Sequence, residues 1–193
     1  MKQLNITGIV LSGGKSSRMG QDKSLMEFNG KPLIQYAIDT LKTICHQVVI
    51  SSNRPDYAFT GCDVWPDEVD IQAPIAGIYT CIRCSSSERN IILSCDMPLV
   101  DSRLFEYLLM MDAGYDAVIP EHGNNMEPLC GVYNKSAVPL LAACIAAKQF
   151  SLQHFIRSAG SRLIEIGPGL NFYSNNLFTN INTMGDFGLL LKM

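Results

Sequence analysis

A cluster of basic side chains directly follows the first apolar run of the chain. Gly-Ile-Val-Leu at residues 8–11 precedes Ser-Gly-Gly, and Lys15, Arg18 and Lys23 follow closely. Glycines let backbone N–H groups approach an anion, and successive N–H groups form a nest for phosphate oxygens. Arginine matches phosphate with a planar fork, and lysine adds a point charge. The segment therefore indicates a phosphate-binding loop, although a solvated Gly-rich turn with surface lysines has the same composition.

Two common phosphate loops do not fit this segment. The pattern G-x-x-x-x-G-K-[ST], counted back from Gly14, requires a glycine where the chain has Ile9. The dinucleotide pattern G-x-G-x-x-G, started at Gly13, places Lys15 where the second glycine belongs. The loop is thus neither a P-loop nor a dinucleotide fingerprint.

A carboxylate ends the most apolar run of the sequence. Asp96 follows Ile-Ile-Leu-Ser-Cys at residues 91–95 and precedes Met97 and Pro98. Mg²⁺ prefers oxygen ligands, often one or two carboxylates together with substrate phosphates. Asp96 is therefore a candidate metal ligand, and the alternative is an aspartate that forms a turn before Pro98.

Apolar strand-like runs alternate with helical patterns along the chain. The predicted strands are residues 8–11, 47–52, 62–65, 90–95, 115–120, 127–133 and 162–166, and the predicted helices are 31–45, 101–111, 134–148 and 151–159. This alternation predicts an α/β fold with a mostly parallel sheet covered by helices on both faces. Ligands of such sheets bind beyond the carboxyl ends of the strands, where the strand order reverses. Ser51 and Asn53 lie at the end of the predicted strand 47–52, and Asp67 follows the predicted strand 62–65, so these residues are candidates for ligand binding or for turn capping.

Composition limits the class of protein. The chain has 193 residues, 47% of them hydrophobic, so we expect a single domain over residues 1–193. Its net charge of −3 gives no basic footprint for nucleic acid. The first residues lack a signal-like apolar segment, and no uncharged apolar stretch approaches the ~20 residues that span a bilayer. We therefore expect a cytoplasmic protein without nucleic-acid or membrane partners.

Cysteine usage agrees with that location. The chain has seven cysteines, several of them in apolar runs, and an odd number favours reduced thiols over a disulfide framework. Cys81 and Cys84 form C-x-x-C, but the sequence offers no second pair at zinc-ligand spacing. We interpret these two cysteines as structural.

Several short motifs, in order, resemble the molybdopterin nucleotidyltransferase family, and within it the guanylyltransferases. The segment LSGGKSSRMGQDK at residues 11–23 is similar to the family signature Leu-Ala-Gly-Gly…Arg-Met-Gly…Asp-Lys. The other similar segments are APIAGI at 73–78, SCDMP at 94–98, EPLCGVY at 127–133 and FTNINT at 178–183. The departures are Ser12 for alanine, Ala73 for glycine, Ile75 for leucine, and no proline after NINT.

The resemblance implies a fold, a reaction and partners. The fold is a three-layer α/β/α sandwich with a mixed, mostly parallel sheet, which is a nucleotidyltransferase-like, Rossmann-type fold. The reaction is transfer of GMP from GTP to the terminal phosphate of molybdopterin with release of pyrophosphate, assisted by Mg²⁺. Transient contacts with other cofactor-biosynthesis proteins or with acceptor molybdoenzymes are also implied. Because the acceptor phosphate is already an anion, no nucleophilic side chain is needed, and we interpret His46, His122 and His154 as structural or surface residues.

The resemblance also assigns roles to residues. The implied catalytic residues are Arg18, Lys23 and Asp96, with Asp96 as the metal ligand. The implied nucleotide-binding residues are Leu11, Ser12, Gly13, Gly14, Lys23, Ser51, Asn53, Asp67 and Asp96. The implied acceptor-binding residues are Glu127, Asn180 and Asn182.

Other functions remain open at this point. A cytidylyltransferase for the same acceptor usually has Ala-Gly where this chain has Gly13-Gly14, which favours guanine. A nucleotidyltransferase could also use another phosphate acceptor, such as a cobinamide or a sugar. A non-catalytic nucleotide sensor, or a scaffold for cofactor delivery, is a different class. Arg18, Lys23 and Asp96 argue against that class, because a sensor has less need of a metal ligand at a departing pyrophosphate.

Overall fold

The computed structural model describes residues 5–12, 23–54, 57–181 and 186. The candidate residues Gly13, Gly14, Arg18 and Asn182 lie outside these described residues.

Strands and helices alternate along the described chain. The strands are β1 (Ile6–Leu11), β2 (Glu27–Phe28), β3 (Lys31–Pro32), β4 (Gln47–Ser51), β5 (Asp63–Trp65), β6 (Arg89–Ser94), β7 (Ala117–His122), β8 (Asn125–Met126), β9 (Cys130–Asn134) and β10 (Ser161–Glu165). The helices are α1 (Leu33–Lys42), α2 (Pro74–Cys84), α3 (Ser102–Met110), α4 (Val138–Ala146) and α5 (Leu152–Ser158). Short 3-10 helices cover Lys23–Leu25, Ala58–Thr60 and Lys135–Ala137.

The main sheet is mixed and mostly parallel, as predicted. Its strand order is β10-β7-β9-β6-β1-β4-β5, with β8 paired to β7. β1 pairs in parallel with β4 on one side and with β6 on the other. β9 runs antiparallel to both of its neighbours, β6 and β7. β4 and β5 follow β1 along the chain and lie on one side of it, whereas the later strand β6 lies on its other side. The strand order therefore reverses between β1 and β6, and a crevice forms beyond their carboxyl ends.

Helices cover both faces of the sheet, so the fold is the three-layer α/β/α sandwich expected from the resemblance. On one face, Ile6 and Val10 of β1 pack in a core cluster with side chains of α1 and α3. On the other face, Ile9 and Leu11 pack in a second cluster with side chains of α2, α4 and α5. This alternation follows from the two-residue period of a strand. At Gly8 an added Cβ would lie 3.0 Å from Cβ of Leu41, so the missing side chain lets α1 approach β1 closely.

The predicted elements exist, but the sequence analysis missed α2. Its residues carry few polar positions, because most of the helix is buried between the sheet and α4. Pro74 occupies the first turn, where a missing N–H costs nothing, and the capping residue Ala73 offers no side-chain cap. The strand expected at 127–133 begins only at Cys130, because a turn closed by the Cys130 N–H and the Glu127 carbonyl precedes it.

Two smaller findings concern the cysteines and membranes. The seven cysteines are thiols and not disulfides, as the odd number suggested. Among the helices in the described ranges, none is long and apolar enough to cross a membrane.

Candidate active site

The carboxyl ends of four parallel strands meet at one edge of the sheet. The Ser12 N–H donates to the Ser51 carbonyl at 3.1 Å, and the Cys95 N–H donates to the Leu11 carbonyl at 3.1 Å. The Ser52 N–H donates to the Trp65 carbonyl, also at 3.1 Å. These bonds hold the residues that follow β1, β4, β5 and β6 side by side. The edge therefore collects most of the candidate residues that the structure describes.

Lys23 and Asp96 form an ion pair at this edge. Nζ of Lys23 lies 2.9 Å from Oδ2 of Asp96, and the two side chains are 15% and 20% exposed. Lys23 begins the 3-10 helix Lys23–Leu25, and Asp96 follows β6. The other oxygen of Asp96, Oδ1, is buried and has no hydrogen-bond partner among the described residues. The structure therefore joins two residues that the sequence analysis singled out separately, and it leaves one carboxylate oxygen for a ligand.

A polar patch lies beyond β4 and β5. Nδ2 of Asn53 donates to Oδ2 of Asp67 at 3.2 Å, and the Asp67 N–H donates to Oδ1 of Asn53 at 2.8 Å. Oγ of Ser51 donates to the other Asp67 oxygen at 3.5 Å. Burial raises the pKa of the Asp67 carboxyl, while the bonds from Asn53 and Ser51 lower it. The three predicted residues thus form one hydrogen-bonded group, which we call the base patch (Ser51, Asn53 and Asp67).

Helix α2 closes over this patch at a glycine. An added Cβ at Gly77 would lie 2.3 Å from Oγ of Ser51 and 3.2 Å from Oδ1 of Asp67. It would also lie 3.4 Å from Cδ2 of Leu11. A side chain at this position would therefore displace the base patch. The APIAGI motif contained this glycine, but the sequence alone did not indicate what the glycine approaches.

Tyr57 links the two sides of the predicted phosphate loop. Its side chain is fully buried, and its hydroxyl lies 2.6 Å from Oγ of Ser12 and 3.0 Å from Oγ of Ser24. Ser12 comes directly before residues 13–22, and Ser24 is the neighbour of Lys23. The tyrosine hydroxyl thereby fixes Ser12 relative to the 3-10 helix that carries Lys23. The sequence analysis missed Tyr57, since a tyrosine in a polar stretch gives no local signal.

A second group of side chains lies beyond β6, β7 and β9, and we call it the imidazole cluster (His122, Glu127 and Phe178). Nε2 of His122 lies 3.0 Å from Oε1 of Glu127. The His122 ring stacks on the Phe178 ring with a centroid distance of 4.7 Å and an angle of 11°. Burial raises the pKa of the Glu127 carboxyl; the nearby His122 lowers it and the charge of Asp96 raises it. His122, interpreted from sequence as structural or surface, is thus held beside the candidate residue Glu127.

Asn180 lies in the segment that joins this cluster to Asp96. The N–H of the next residue, Ile181, donates to the carbonyl of Asp96 at 2.9 Å. Phe178 and Ile181 are buried, and Asn180 between them is partly exposed. The predicted acceptor residues Glu127 and Asn180 therefore both lie near the end of β6.

The donors present suit a hard cation that is held mainly by its substrate. Within the described ranges, no group of three or more histidine, cysteine, aspartate or glutamate side chains could hold a metal ion. Asp96 offers the buried oxygen Oδ1 without a protein partner in those ranges. Mg²⁺ is commonly bound by one or two carboxylates together with substrate phosphates and water, so Asp96 fits this role.

Comparison with known proteins gives the class. A family model described as the MobA-like NTP transferase domain matches residues 8–163, and the chain belongs to this family. The protein is therefore a nucleotidyltransferase enzyme. The match begins within β1, at residue 8, and includes the base patch, Asp96 and the histidine of the imidazole cluster, His122.

Individual relatives extend over nearly the whole chain. A protein of Carboxydothermus hydrogenoformans named "Probable molybdenum cofactor guanylyltransferase" is 30% identical over 98% of this chain and 96% of its own length. The "Molybdenum cofactor guanylyltransferase" of Pseudomonas entomophila is 33% identical over 78% of this chain and 82% of its own.

Solved structures agree with the fold. Molybdopterin-guanine dinucleotide biosynthesis protein A from Archaeoglobus fulgidus has a TM-score of 0.81 at 25% identity, covering 96% of this chain and 97% of that one. A 4-diphosphocytidyl-2C-methyl-D-erythritol synthase from Anaerococcus prevotii has a TM-score of 0.76 at 10% identity, covering 98% and 96%. The second likeness concerns the fold alone.

Proposed function

We propose that this enzyme transfers GMP from GTP to the terminal phosphate of molybdopterin, releasing pyrophosphate and forming the guanine dinucleotide cofactor. The observation that carries the proposal is the Lys23–Asp96 pair at the crevice between β1 and β6, with the second Asp96 oxygen left for a ligand. The relatives named as guanylyltransferases support the choice of substrates. We also propose that residues 1–193 form one catalytic domain and that the protein works in the cytoplasm.

The reaction needs positioning and charge neutralisation rather than a covalent intermediate. An oxygen of the acceptor phosphate attacks the α-phosphorus of GTP, and the bond to the pyrophosphate oxygen breaks. The acceptor oxygen is already anionic, so no serine, cysteine or histidine nucleophile is required. Lys23, together with Arg18, which lies outside the described residues, neutralises the triphosphate as pyrophosphate leaves.

Asp96 is the proposed ligand of Mg²⁺, through the oxygen that Lys23 does not contact. When bound, the ion supplies positive charge to the α- and β-phosphates, where negative charge develops in the transition state. Lys23 lies 2.9 Å from the other oxygen, so it holds the carboxylate in place and is itself held near the phosphates.

The base patch is the proposed site for the guanine base and its ribose. Guanine presents two neighbouring donors, N1–H and the N2 amino group, which a carboxylate such as Asp67 can accept; the corresponding edge of cytosine carries one amino donor. Leu11 and Ser12 lie at the end of β1 next to this patch, and Gly13-Gly14 follow directly. Glu127, Asn180 and Asn182 are proposed to bind the acceptor, and transient contacts with acceptor molybdoenzymes remain part of the proposal.

Pyrophosphate release tests the proposal. The purified protein is incubated with Mg²⁺ and each of GTP, CTP, ATP and UTP, with and without molybdopterin. We expect release only with molybdopterin, and fastest with GTP. Faster release with CTP would identify a cytidylyltransferase, and GTP binding without release under any condition would identify a sensor.

A further inference from the structure

The imidazole cluster lies on the opposite side of Asp96 from the base patch. The base patch follows β4 and β5, whereas His122 ends β7, and in the sheet β6 and β1 lie between these two groups of strands. The Ile181–Asp96 backbone bond brings the segment that contains Phe178 against the end of β6. A nucleotide on the base patch with its phosphates at Asp96 would thus leave this cluster facing the incoming acceptor.

A tight hairpin turn fixes the position of His122. Gly123 and Asn124 have φ values of 52° and 65°, and two positive φ values are typical of the type I′ turn that joins β-strands. The Glu127 N–H donates to the Pro120 carbonyl, so Glu127 lies opposite Pro120 across the hairpin. Pro120 and His122 are two residues apart and share a face of β7, which makes His122 and Glu127 diagonal neighbours.

Two contacts then set the orientation of the His122 ring. Glu127 holds Nε2, and Phe178 lies under one face of the ring. Phe178 is only 8% exposed, whereas the His122 side chain is 38% exposed, so part of the ring remains open to a ligand. His46 and His154 differ, because within the described ranges their imidazoles make no hydrogen bond and no ring contact, and both residues are exposed.

We propose that His122 binds the phosphate monoester of the acceptor and holds it for attack on the nucleotide. This inference rests on the proposed function, since it assigns the acceptor half of the same site. With Nε2 on Glu127, the remaining ring nitrogen Nδ1 has no partner among the described residues, and in the imidazolium form its N–H can donate to a phosphate oxygen. Asp96 is already paired with Lys23, whereas in the part of the chain that the structure describes the carboxylate of Glu127 has only His122 beside it, so an anionic acceptor entering here needs a hydrogen-bond donor next to Glu127.

Variant kinetics form the first arm of the test. His122→Gln can keep the donor toward Glu127 but loses Nδ1 and the ring, and His122→Phe keeps the ring but loses both nitrogens. We expect KM for molybdopterin to rise about tenfold or more in both, the scale of a lost hydrogen bond to a charged group, with KM for GTP changed less than twofold. His154→Gln is the matched control and keeps both KM values. Unchanged acceptor KM in folded His122 variants, beside an active wild-type enzyme, would overturn the inference and leave the proposed function standing.

Ligand titration of the wild-type protein forms the second arm and needs no turnover. The ring resonances of His122, assigned by comparison with His122→Gln, are followed by NMR while the phosphate monoester of 6-hydroxymethylpterin is added. We expect a saturable shift with the phosphate ester and none with the unphosphorylated pterin alcohol.

The two arms distinguish failure of the proposed function from failure of the proposed phosphate-binding role of His122. A shift without any transfer to molybdopterin would reject the proposed acceptor but keep the phosphate site at His122. No shift at saturating ester, or an equal shift with the alcohol, would overturn the phosphate role of His122.

Discussion

Nζ of Lys23 lies 2.9 Å from Oδ2 of Asp96, so the cation and the carboxylate that the proposed reaction uses form an ion pair with each other. We therefore expect each partner to contribute both to stability and to the proposed catalysis. The two contributions can be separated by comparing kinetics with unfolding in the same variants.

Lys23→Met removes the charge and keeps most of the side-chain stem. We expect kcat to fall by about 10²–10³, because one preorganised electrostatic contact to the phosphates is lost. The free energy of unfolding should fall by about 1 kcal/mol, since Asp96 loses a partly buried partner. Steady-state kinetics and urea unfolding measure the two effects. Lys31→Met is the control, because Lys31 pairs with Asp39 on a more exposed surface, and it should leave kcat unchanged. If the fraction of unfolded protein fully explains the loss of kcat, Lys23 has only a structural role.

Asp96→Asn keeps the shape of the side chain and weakens a ligand for a hard cation. We expect a folded protein whose GMP transfer is about 10²–10³ slower, with partial recovery at high Mg²⁺ or with Mn²⁺. The matched test is the double variant with Lys23→Met, whose kcat should fall little further than that of either single variant, because the two residues act as a unit. If the Asp96→Asn variant has the wild-type turnover and an unchanged Mg²⁺ dependence, Asp96 is not a metal ligand.

Gly77→Ala tests the contact between α2 and the base patch. The new methyl group would lie 2.3 Å from Oγ of Ser51, so Ser51 or the helix must move. We expect KM for GTP to rise at least severalfold, together with a lower melting temperature. Gly167→Ala is the control, because its Cβ would meet no atom within 4 Å. If GTP binding in a calorimetric titration matches the wild type, Ser51 has no part in recognising the nucleotide.

Tyr57→Phe removes the hydroxyl that contacts both Ser12 and Ser24. We expect Ser12 and Lys23 to be positioned less firmly, which should raise KM for GTP severalfold. Tyr36→Phe is the control, because its hydroxyl donates to the Phe28 carbonyl at 2.7 Å and not to Ser12 or Ser24. Both variants should lose about 1 kcal/mol of stability. If Tyr57→Phe and Tyr36→Phe have the same kinetics, the Tyr57 hydroxyl does not position the residues that bind GTP.

Asp67→Asn should make the protein more stable at neutral pH while weakening GTP binding. Burial raises the folded-state pKa of Asp67 above its ordinary value of 3.8. The stabilising contribution of such a group is fully present below the unfolded pKa and is lost as the pH rises through the folded pKa. At pH 7 the charged Asp67 therefore costs stability that asparagine does not.

Thermal unfolding of both proteins over a pH series measures this. The gain in melting temperature from Asp67→Asn should be largest at neutral pH and should shrink toward pH values below about 3.8, where aspartate is protonated in both states. A gain that grows as the pH falls would contradict the sign of the shift.

The sequence was most informative where a feature is local. β1 and β6 contain continuous apolar runs, and Asp96 comes just after the end of β6, so the fold class and the place of this candidate residue at the strand end could be predicted. Helix α2 was missed because burial on most sides leaves no polar face to reveal its period. The Gly77–Ser51 contact and the Tyr57 hydrogen bonds join residues that are distant in the chain, and no local pattern encodes them. The signal for His122 was present in the Gly123-Asn124 turn, which places the histidine diagonally from Glu127.

The reversed strand β9 has a consequence for how such an enzyme could change over time. By chain order, the proposed nucleotide contacts fall within residues 11–96, and the proposed acceptor contacts fall within residues 122–182. After β6 the chain passes through α3 to β7, and β9 then returns between β7 and β6, antiparallel to both, so the second half of the chain lies on the far side of β6. The proposed donor and acceptor contacts thus lie on consecutive stretches of sequence, of which the first ends at Asp96. On this proposed assignment, recombination at a point after Asp96 would change the acceptor specificity and keep the nucleotide specificity.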